Sequence, residues 1–413
     1  MTGRQRQSLF VAAALVLLVS LVLVACGSSK QHPKPEPTTL SLWYYWDSAE
    51  ARQRLLRLVT EFNVTHDDIQ VSARYVTHED IKKELALAIA DGEVPDMAIV
   101  DSSDVQYYNN MKPLVDVSGE IDREQYLDEA LASCRGENGT LLGLPLGLNC
   151  LLFYYNEDIL LSKNIKVPEN LDEFVAAAVQ VTEGNVYGCA FPSLQSEESM
   201  YCFLPVLWAK GGRIDKINSE EGRQAFDVLR QLAKKRGMSH STVNMTLSDI
   251  SKEFAKENIA MMFATSGMDN QIHKTNPDLD FKVGPLPTGE KKLTVIGGEV
   301  LTVLCDENRE QAAEFVKFMA EPERIKKYLE DAGYLAPRKD VLSWQIEKYP
   351  EQKKYAEYLG EGREREFTPY WPAVSMAVAD VINQVILEED QENTLEELEE
   401  KIRAIREAYY EKK

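Results

Sequence analysis

Short apolar segments alternate with amphipathic ones along most of the chain. The apolar segments have the length of strands and end on polar or small residues; the candidates are Leu40–Trp46, Ile69–Val76, Pro95–Asp101, Leu151–Asn156, Val186–Phe191, Ile259–Ala264 and Val300–Cys305. Strands that alternate with helices in this way are typical of α/β proteins, and the β-α-β-α-β order of the N-terminal part favours a parallel sheet. The pattern therefore predicts an α/β fold.

Helix-start signals precede several of the amphipathic segments. Ser48 is a candidate N-cap, Asn170 with Glu173 gives a capping signal, and Thr394 with Glu397 predicts a capping box before a C-terminal helix. Apolar residues recur at helical spacing after each of these positions. A sheet protein of 413 residues exceeds the usual size of a single hydrophobic core, so we expect two domains.

The first residues form an export signal. The segment 9–25 is apolar except for Ser20, and Leu23–Gly27 resembles the bacterial lipobox, in which the cysteine is acylated. This predicts a signal peptide over residues 1–25, lipid attachment at Cys26, and a flexible tether over 26–39, which is rich in Pro and Ser. The alternative is a plain signal anchor with an incidental cysteine.

Composition narrows the range of partners. The chain is 44% hydrophobic and 27% charged, as globular proteins are, and its net charge is −21. A strongly acidic surface repels nucleic acid and anionic lipid. We therefore expect no nucleic-acid partner and contact with the cell membrane through the lipid anchor only. The export signal, rather than the charge, predicts the extracytoplasmic location.

The cysteines carry no metal or redox motif. Five of the six remain once Cys26 is lipidated, no CxxC occurs, and most lie in apolar surroundings. These features favour small, buried core residues. An oxidising compartment would permit a bridge between Cys189 and Cys202.

Five segments in order resemble the family 1 extracellular solute-binding proteins, the group that includes the maltose-binding protein. They are Asp91–Asp101; Gly139–Pro145 with Phe153–Asn156; Phe254–Ala264 with Ser266 and Gly267; Gly284–Pro287 with Gly297 and Gly298; and Ala312–Phe318 with Gly333–Pro337. Together they span nearly all of residues 40–413.

The resemblance implies a two-lobed periplasmic-binding-protein-like fold with a hinge and a ligand cleft between the lobes. Carried onto this chain, lobe one takes residues 40–147 and 265–310, and lobe two takes 148–264 and 311–413. It also implies a monomer that delivers a small ligand to the permease of an ABC transporter, with no cofactor.

Candidate ligand-binding residues follow first from the rule that ligands lie beyond the carboxyl ends of strands in open α/β sheets. This rule selects Tyr45, Trp46, Asp47, Asp101, Ser103 and Asn149. The family resemblance adds Tyr201, Ser266, Gly298, Glu299 and Trp371. Aromatic rings cover the apolar faces of a pyranose, while carboxylates, amides and hydroxyls pair with its polar edges, so this set favours a mono- or oligosaccharide.

Two departures from the family pattern leave the ligand open. Met268 and Met376 stand where relatives often carry an aromatic ring, so a shorter saccharide or another polyol is as consistent as a maltodextrin. A binder of a peptide, polyamine or metal on the same scaffold, or a ligand-sensing component of a membrane receptor, also remains open.

Motifs for catalysis are missing from the sequence. It has no GxxxxGK phosphate loop, no HExxH motif, no metal-ligand spacing among its histidines and no GxSxG elbow. Composition leaves a two-carboxylate glycosidase open, but no acid is singled out. We therefore expect no catalytic residue and no metal site.

Overall fold

The fold is known from a computed structural model that describes residues 36–46, 48–330 and 332–411. The predicted signal peptide, the lipid-attachment residue Cys26, most of the predicted tether and the candidate site residue Asp47 lie outside the described residues. Among the residues that are described, no helix is both long enough and apolar enough to span a bilayer.

The strands begin and end close to the predicted segments in most cases. They are β1 (Thr38–Tyr44), β2 (Ile69–Tyr75), β3 (Met97–Asp101), β4 (Leu144–Tyr155), β5 (Tyr187–Ala190), β6 (Ile259–Thr265), β7 (Lys282–Gly284), β8 (Thr294–Val303) and β9 (Gly362–Arg363).

Helices connect these strands and also form the C-terminal part. They are α1 (Ala49–Thr65), α2 (Ile81–Asp91), α3 (Val105–Met111), α4 (Asp128–Ala132), α5 (Glu157–Ser162), α6 (Leu171–Val181), α7 (Glu197–Ala209), α8 (Glu220–Lys234), α9 (Leu247–Ala255), α10 (Met268–Thr275), α11 (Arg309–Ala320), α12 (Pro322–Leu329), α13 (Lys339–Lys348), α14 (Lys353–Leu359), α15 (Trp371–Ile386) and α16 (Thr394–Tyr410).

The helix-start predictions are confirmed at two positions and wrong at a third. The side chains of Ser48 and Asn170 accept hydrogen bonds from the backbone at the starts of α1 and α6. The capping box predicted at Thr394 is absent, because α16 already begins at Thr394. The Thr394 hydroxyl instead accepts a hydrogen bond from the backbone of Gln391, and thereby shapes the preceding turn.

The sheet is mixed rather than parallel throughout. Its strand order is β2-β1-β3-β8-β4-β6-β5, with β7 beside β4 and β9 beside β8. The β1–β3 and β5–β6 pairs are parallel, as the alternation predicts. β8 runs antiparallel to both β3 and β4, and β4 runs antiparallel to β6. A distant segment of the chain therefore enters the centre of the sheet.

Buried side chains divide into two hydrophobic cores. The first core takes its apolar residues from 40–146, 300–304 and 312–341, and the second from 148–296 together with 355–402; Ala130 and Leu335 are exceptions that pack in the second core. We call the parts around them the first lobe and the second lobe. The predicted boundaries are therefore wrong in two places: most of 265–299 packs in the second lobe, and most of 312–341 packs in the first.

The described cysteines are unpaired. Cys134, Cys150, Cys189 and Cys202 are buried thiols, and Cys305 is partly exposed. Burial raises the pKa of the Cys189 thiol well above its usual range, which fits the predicted role of a small core residue.

Candidate functional site

The two lobes are joined by a pair of long strands that cross from one core to the other. In β4, Leu146 lies in the first core and Leu148 in the second; in β8, Ile296 lies in the second core and Val300 in the first. The strands pair antiparallel at the crossing, with Leu148 opposite Gly298. The candidates Asn149, Gly298 and Glu299 therefore lie at the border between the lobes.

The backbone at this crossing requires glycine. Gly298 has a φ of 152°, and a Cβ atom there would collide with the Gly147 carbonyl oxygen. The two backbones are in closer contact than any side chain would allow. Gly298 therefore keeps β4 and β8 paired where the chain leaves one lobe for the other.

Glu299 is a buried acid surrounded by hydroxyls. Its carboxyl accepts a hydrogen bond of 2.6 Å from the Tyr334 hydroxyl and is also hydrogen-bonded to Tyr45. Burial, reinforced by the nearby charge of Asp101, raises the pKa of Glu299 to about 8. At neutral pH the group is therefore a neutral acid that can donate a hydrogen bond as well as accept one.

A buried ion-pair network lies beside this acid. The Arg365 guanidinium is 2.8 Å from Asp101 Oδ1 and 3.0 Å from Glu197 Oε1. It also donates to the hydroxyls of Ser102 and Ser103, at 3.0 and 3.1 Å. Asp101 and Ser103 are thus brought together. Both contact Arg365, which the sequence did not single out.

The network keeps Asp101 ionised in spite of burial. Burial acts to raise the pKa of Asp101, but the Arg365 charge and hydrogen bonds from Ser103 hold that pKa below its usual range. The neighbouring Asp104 differs: burial raises its pKa to about 6, although Lys82 is 2.9 Å away and lowers it. Hydrogen bonds between a charged guanidinium and a carboxylate, such as those of Arg365, are strong and directional when water is excluded.

Tyr201 and Asn149 lie on the side of the second lobe. The Tyr201 hydroxyl has two acceptors within donor distance, Asn149 Oδ1 at 2.9 Å and the Val295 carbonyl at 3.0 Å. The Arg365 guanidinium lies 5.3 Å from the centroid of the Tyr201 ring. The ring is therefore held by hydrogen bonds at one end and by a cation near its face.

Trp46 packs mainly against other aromatic rings. Its ring centroid lies 5.9 Å from that of Tyr45 and 5.6 Å from that of Tyr328, and 9% of the residue stays exposed. The strand-end rule selects Trp46 as a ligand contact, but a Trp beneath the following helix can equally be a core residue. Trp46 belongs to the first core and adjoins Tyr45, which reaches Glu299.

Trp371 lies deeper than the family resemblance implied. It is 1% exposed within the second core, and its indole N–H donates to Glu197 Oε1 at 3.1 Å. Ser375 donates to the other oxygen of Glu197. The position of Trp371 is therefore that of a residue supporting the network, with little surface left for stacking.

Ser266 directly follows β6, next to the crossing strands. Its backbone N–H donates to the Cys150 carbonyl at 2.9 Å, and within the described part of the chain its buried hydroxyl has no hydrogen-bond partner. The following Gly267 touches Gly333, since a Cβ on Gly267 would lie 2.7 Å from the Gly333 Cα.

Over residues 57–355 the sequence matches the family described as bacterial extracellular solute-binding protein. The chain belongs to this family. Solute-binding proteins bind their ligands without transforming them and are not enzymes. The protein is accordingly extracytoplasmic.

Curated relatives extend over most of this solute-binding protein. The arabinooligosaccharide-binding protein of Bacillus subtilis is 24% identical over 402 residues, covering 91% of this chain and 89% of the relative. The melibiose/raffinose/stachyose-binding protein MelE of the same organism is 23% identical, covering 76% of this chain and 77% of its own.

Solved structures show that the solute-binding protein has the two-lobed periplasmic-binding-protein fold, with a hinge and a cleft between the lobes. An ABC transporter solute-binding protein from Thermotoga lettingae, bound with α-D-tagatose, superposes with a TM-score of 0.81 at 21% identity, covering 89% of this chain and 99% of that one. Maltose-bound MalE3 of T. maritima gives 0.80 at 18% identity, covering 89% and 100%.

Three residues that contact these candidates were missed from the sequence: Glu197, Tyr334 and Arg365. Arg365 lies in the charged segment Gly362–Glu366, which has the composition of a solvated loop, and Glu197 looks like an ordinary acid in the first turn of a helix. Tyr334 lies within the family-like segment Gly333–Pro337, and Ser102 falls under the strand-end rule, since it follows β3 between two candidates. Among the described residues, no three His, Cys, Asp or Glu side chains are grouped so that they could hold a metal ion.

Proposed function

We propose that this solute-binding protein captures a mono- or oligosaccharide in the cleft between its lobes and delivers it to the permease of an ABC importer. The ligand contacts we propose are Tyr45, Trp46, Asp47, Asp101, Ser103, Asn149, Tyr201, Ser266, Gly298 and Glu299, with Trp371 as a supporting residue.

One observation carries the proposal: donors and acceptors of several kinds converge where β4 and β8 cross. Asn149, hydrogen-bonded to Tyr201, offers an amide, Glu299 a protonated acid, and Asp101, opposite Glu299 across β3 and β8, an ionised carboxylate. A sugar hydroxyl both donates and accepts, so it pairs with such a mixed set, and unpaired polar groups in a closed cleft would weaken binding. Rings beside the polar groups suit the apolar faces of a pyranose.

The names of the relatives support the same ligand class. They include an arabinooligosaccharide-binding protein and a melibiose/raffinose/stachyose-binding protein, and the structures with the same fold hold tagatose and maltose.

The cellular arrangement we propose is a monomer tethered to the outer face of the cell membrane by lipid on Cys26. A lipoprotein from Streptomyces antibioticus, 26% identical over 339 residues, supports the anchor. Closure of the lobes on the ligand then presents a surface to the permease.

Isothermal titration calorimetry tests the ligand class. The panel contains arabinotriose, raffinose, maltose, mannobiose, tagatose and ribitol, with a tripeptide, spermidine and Zn²⁺ as members of the competing classes. We expect at least one saccharide to bind with a dissociation constant below about 100 μM, or more than about 5.5 kcal/mol of binding free energy. Binding of the peptide, the polyamine or the metal, with none of the saccharides, would reject the proposal.

A further inference from the structure

Arg365 is carried by a segment that belongs to the second lobe. Just before it, β9 pairs with Thr294 and Val295 of β8, and the Arg363 guanidinium lies 5.6 Å from the Trp208 ring centroid in α7. Val295 is part of the second core, and Trp208 packs against it. The backbone of Arg365 is therefore fixed to the second lobe on its N-terminal side.

The C-terminal helix holds the other side of the same segment. Arg406 of α16 makes a 3.1 Å ion pair with Glu366, and its guanidinium lies 5.7 Å from the Tyr370 ring centroid. Tyr370 also packs edge-on against Tyr409 at 5.6 Å. Arg365 is thus held between two anchored neighbours, so its side chain has a defined direction.

That side chain extends out of its own lobe. Three of its partners, Asp101, Ser102 and Ser103, lie at or just after the end of β3 in the first lobe, at 2.8, 3.0 and 3.1 Å. The fourth, Glu197, begins α7 in the second lobe, at 3.0 Å. Only 1% of the Arg365 side chain is exposed. A single guanidinium therefore connects the two lobes directly across the cleft.

The charges around Arg365 favour the arrangement in which the two lobes meet. Asp101 from one lobe and Glu197 from the other share this cation, and Lys82, another cation nearby, is paired with Asp104. Without Arg365, this arrangement would hold two partly buried carboxylates, 32% and 18% exposed, together without the cation between them, which is unfavourable. In an open form, water would solvate the same groups.

We propose that Arg365 is a positioning residue that joins the two lobes across the cleft, also before ligand binds, and thereby raises ligand affinity. Apparent affinity is reduced by the fraction of molecules that are not competent to bind, so a residue that favours closure strengthens binding without contacting the ligand. The claim that Arg365 raises ligand affinity rests on the proposed function, whereas the claim that it joins the two lobes does not.

Small-angle X-ray scattering of the purified, ligand-free protein tests the closure. Arg365→Met removes both the positive charge and the planar guanidinium with its several N–H donors. Arg365→Lys keeps only the charge. We expect the radius of gyration to increase for Arg365→Met and to lie in between for Arg365→Lys. The matched control is Arg338→Met, since Arg338 is 12% exposed and pairs with Asp340 within the first lobe; it should leave the radius unchanged.

Circular dichroism and urea unfolding establish that each variant is folded. If Arg365→Met does not fold, the radius of gyration of Arg365→Lys alone tests the inference. We expect that variant to fold because it retains a cation between the carboxylates. Folded Arg365 variants with the same radius of gyration as the wild type would overturn the inference.

Calorimetry with whichever panel saccharide binds the wild type tests the affinity. We expect Arg365→Met to weaken binding at least tenfold, or about 1.4 kcal/mol. Tighter binding would mean that Arg365 competes with the ligand, and it would overturn the affinity claim. If no saccharide binds but the radius increases, the proposed function fails and the lobe connection stands. If a saccharide binds and the radius is unchanged, the proposed function stands and the lobe connection fails.

Discussion

Single residues in the cleft owe their chemistry to their neighbours. Asp101 and Glu299 are opposite each other in the β3–β8 register, and both are carboxylic acids. Arg365 holds the pKa of Asp101 low against the effect of burial, whereas burial raises the pKa of Glu299 to about 8. The two acids therefore present one anion and one neutral acid at neutral pH, which gives a ligand hydroxyl both an acceptor and a donor.

The raised pKa of Glu299 predicts a pH-dependent stability. A glutamic acid in the unfolded chain titrates near about 4.3. Between that pH and about 8, the unfolded chain loses the Glu299 proton while the folded chain keeps it, so the free energy of unfolding decreases as pH rises through this window. Below this window both states keep the Glu299 proton, so the free energy of unfolding does not depend on pH through this group. Above the window both states have lost the proton, and the decrease in the free energy of unfolding is complete.

Glu299→Gln tests this, because glutamine resembles the neutral acid and has no proton to lose. We expect the stability of the wild type relative to Glu299→Gln, from urea unfolding at pH 5 to 9, to decrease as pH rises. Asp104, whose pKa is raised to about 6, is present in both proteins, so its titration cancels in the difference. A difference that stays constant with pH would contradict the assignment.

Among the elements, β4 and β8 decide the architecture. Each spans both cores, and their pairing is closest where Gly298 faces Leu148. The predicted strands Leu151–Asn156 and Val300–Cys305 captured only the C-terminal parts of these elements. The remainder contains Pro145 and several glycines, which normally disfavour a strand interior but are accommodated here at a bulge and a close backbone contact.

Gly298→Ala tests the close contact between these strands. A Cβ would collide with the Gly147 carbonyl oxygen, and the φ of 152° is strained for alanine, so we expect a loss of more than about 1 kcal/mol in the free energy of unfolding. Gly360→Ala is the control, because Gly360 ends α14 with φ −64° and its nearest atom would be 3.6 Å away. Its effect should stay within about 0.5 kcal/mol. If the two substitutions lowered the free energy of unfolding equally, the close contact at Gly298 would not require glycine.

At the scale of the whole molecule, two cores share one continuous sheet. A covalent lipid would attach this body to the membrane through the proposed acylation of Cys26. Labelling cells with radioactive palmitate tests the anchor: we expect the wild type to incorporate label and Cys26→Ser to lose it completely, since no other residue would carry the lipid. Cys305→Ser is the control, because Cys305 is a partly exposed thiol. Label that persists in Cys26→Ser would refute the site.

The sequence by itself determined the properties that depend on local pattern. Alternating apolar and amphipathic segments gave the α/β class, caps such as Ser48 and Asn170 gave helix starts, and ordered motifs gave the family. The rule about strand ends also selected Asp101 and Ser103, because a strand's carboxyl end is recognisable from its own residues, whereas Asn149 lies inside β4.

Tertiary structure alone decided what depends on contacts between distant segments. Most of residues 312–341 pack in the first lobe although they follow a long stretch of the second, and Arg365 meets Asp101 across more than half of the chain. Such contacts leave no periodic trace, since the residue types involved are equally at home on a solvated surface. Burial then sets which acids ionise, so the electrostatics of the cleft follows from the packing rather than from composition.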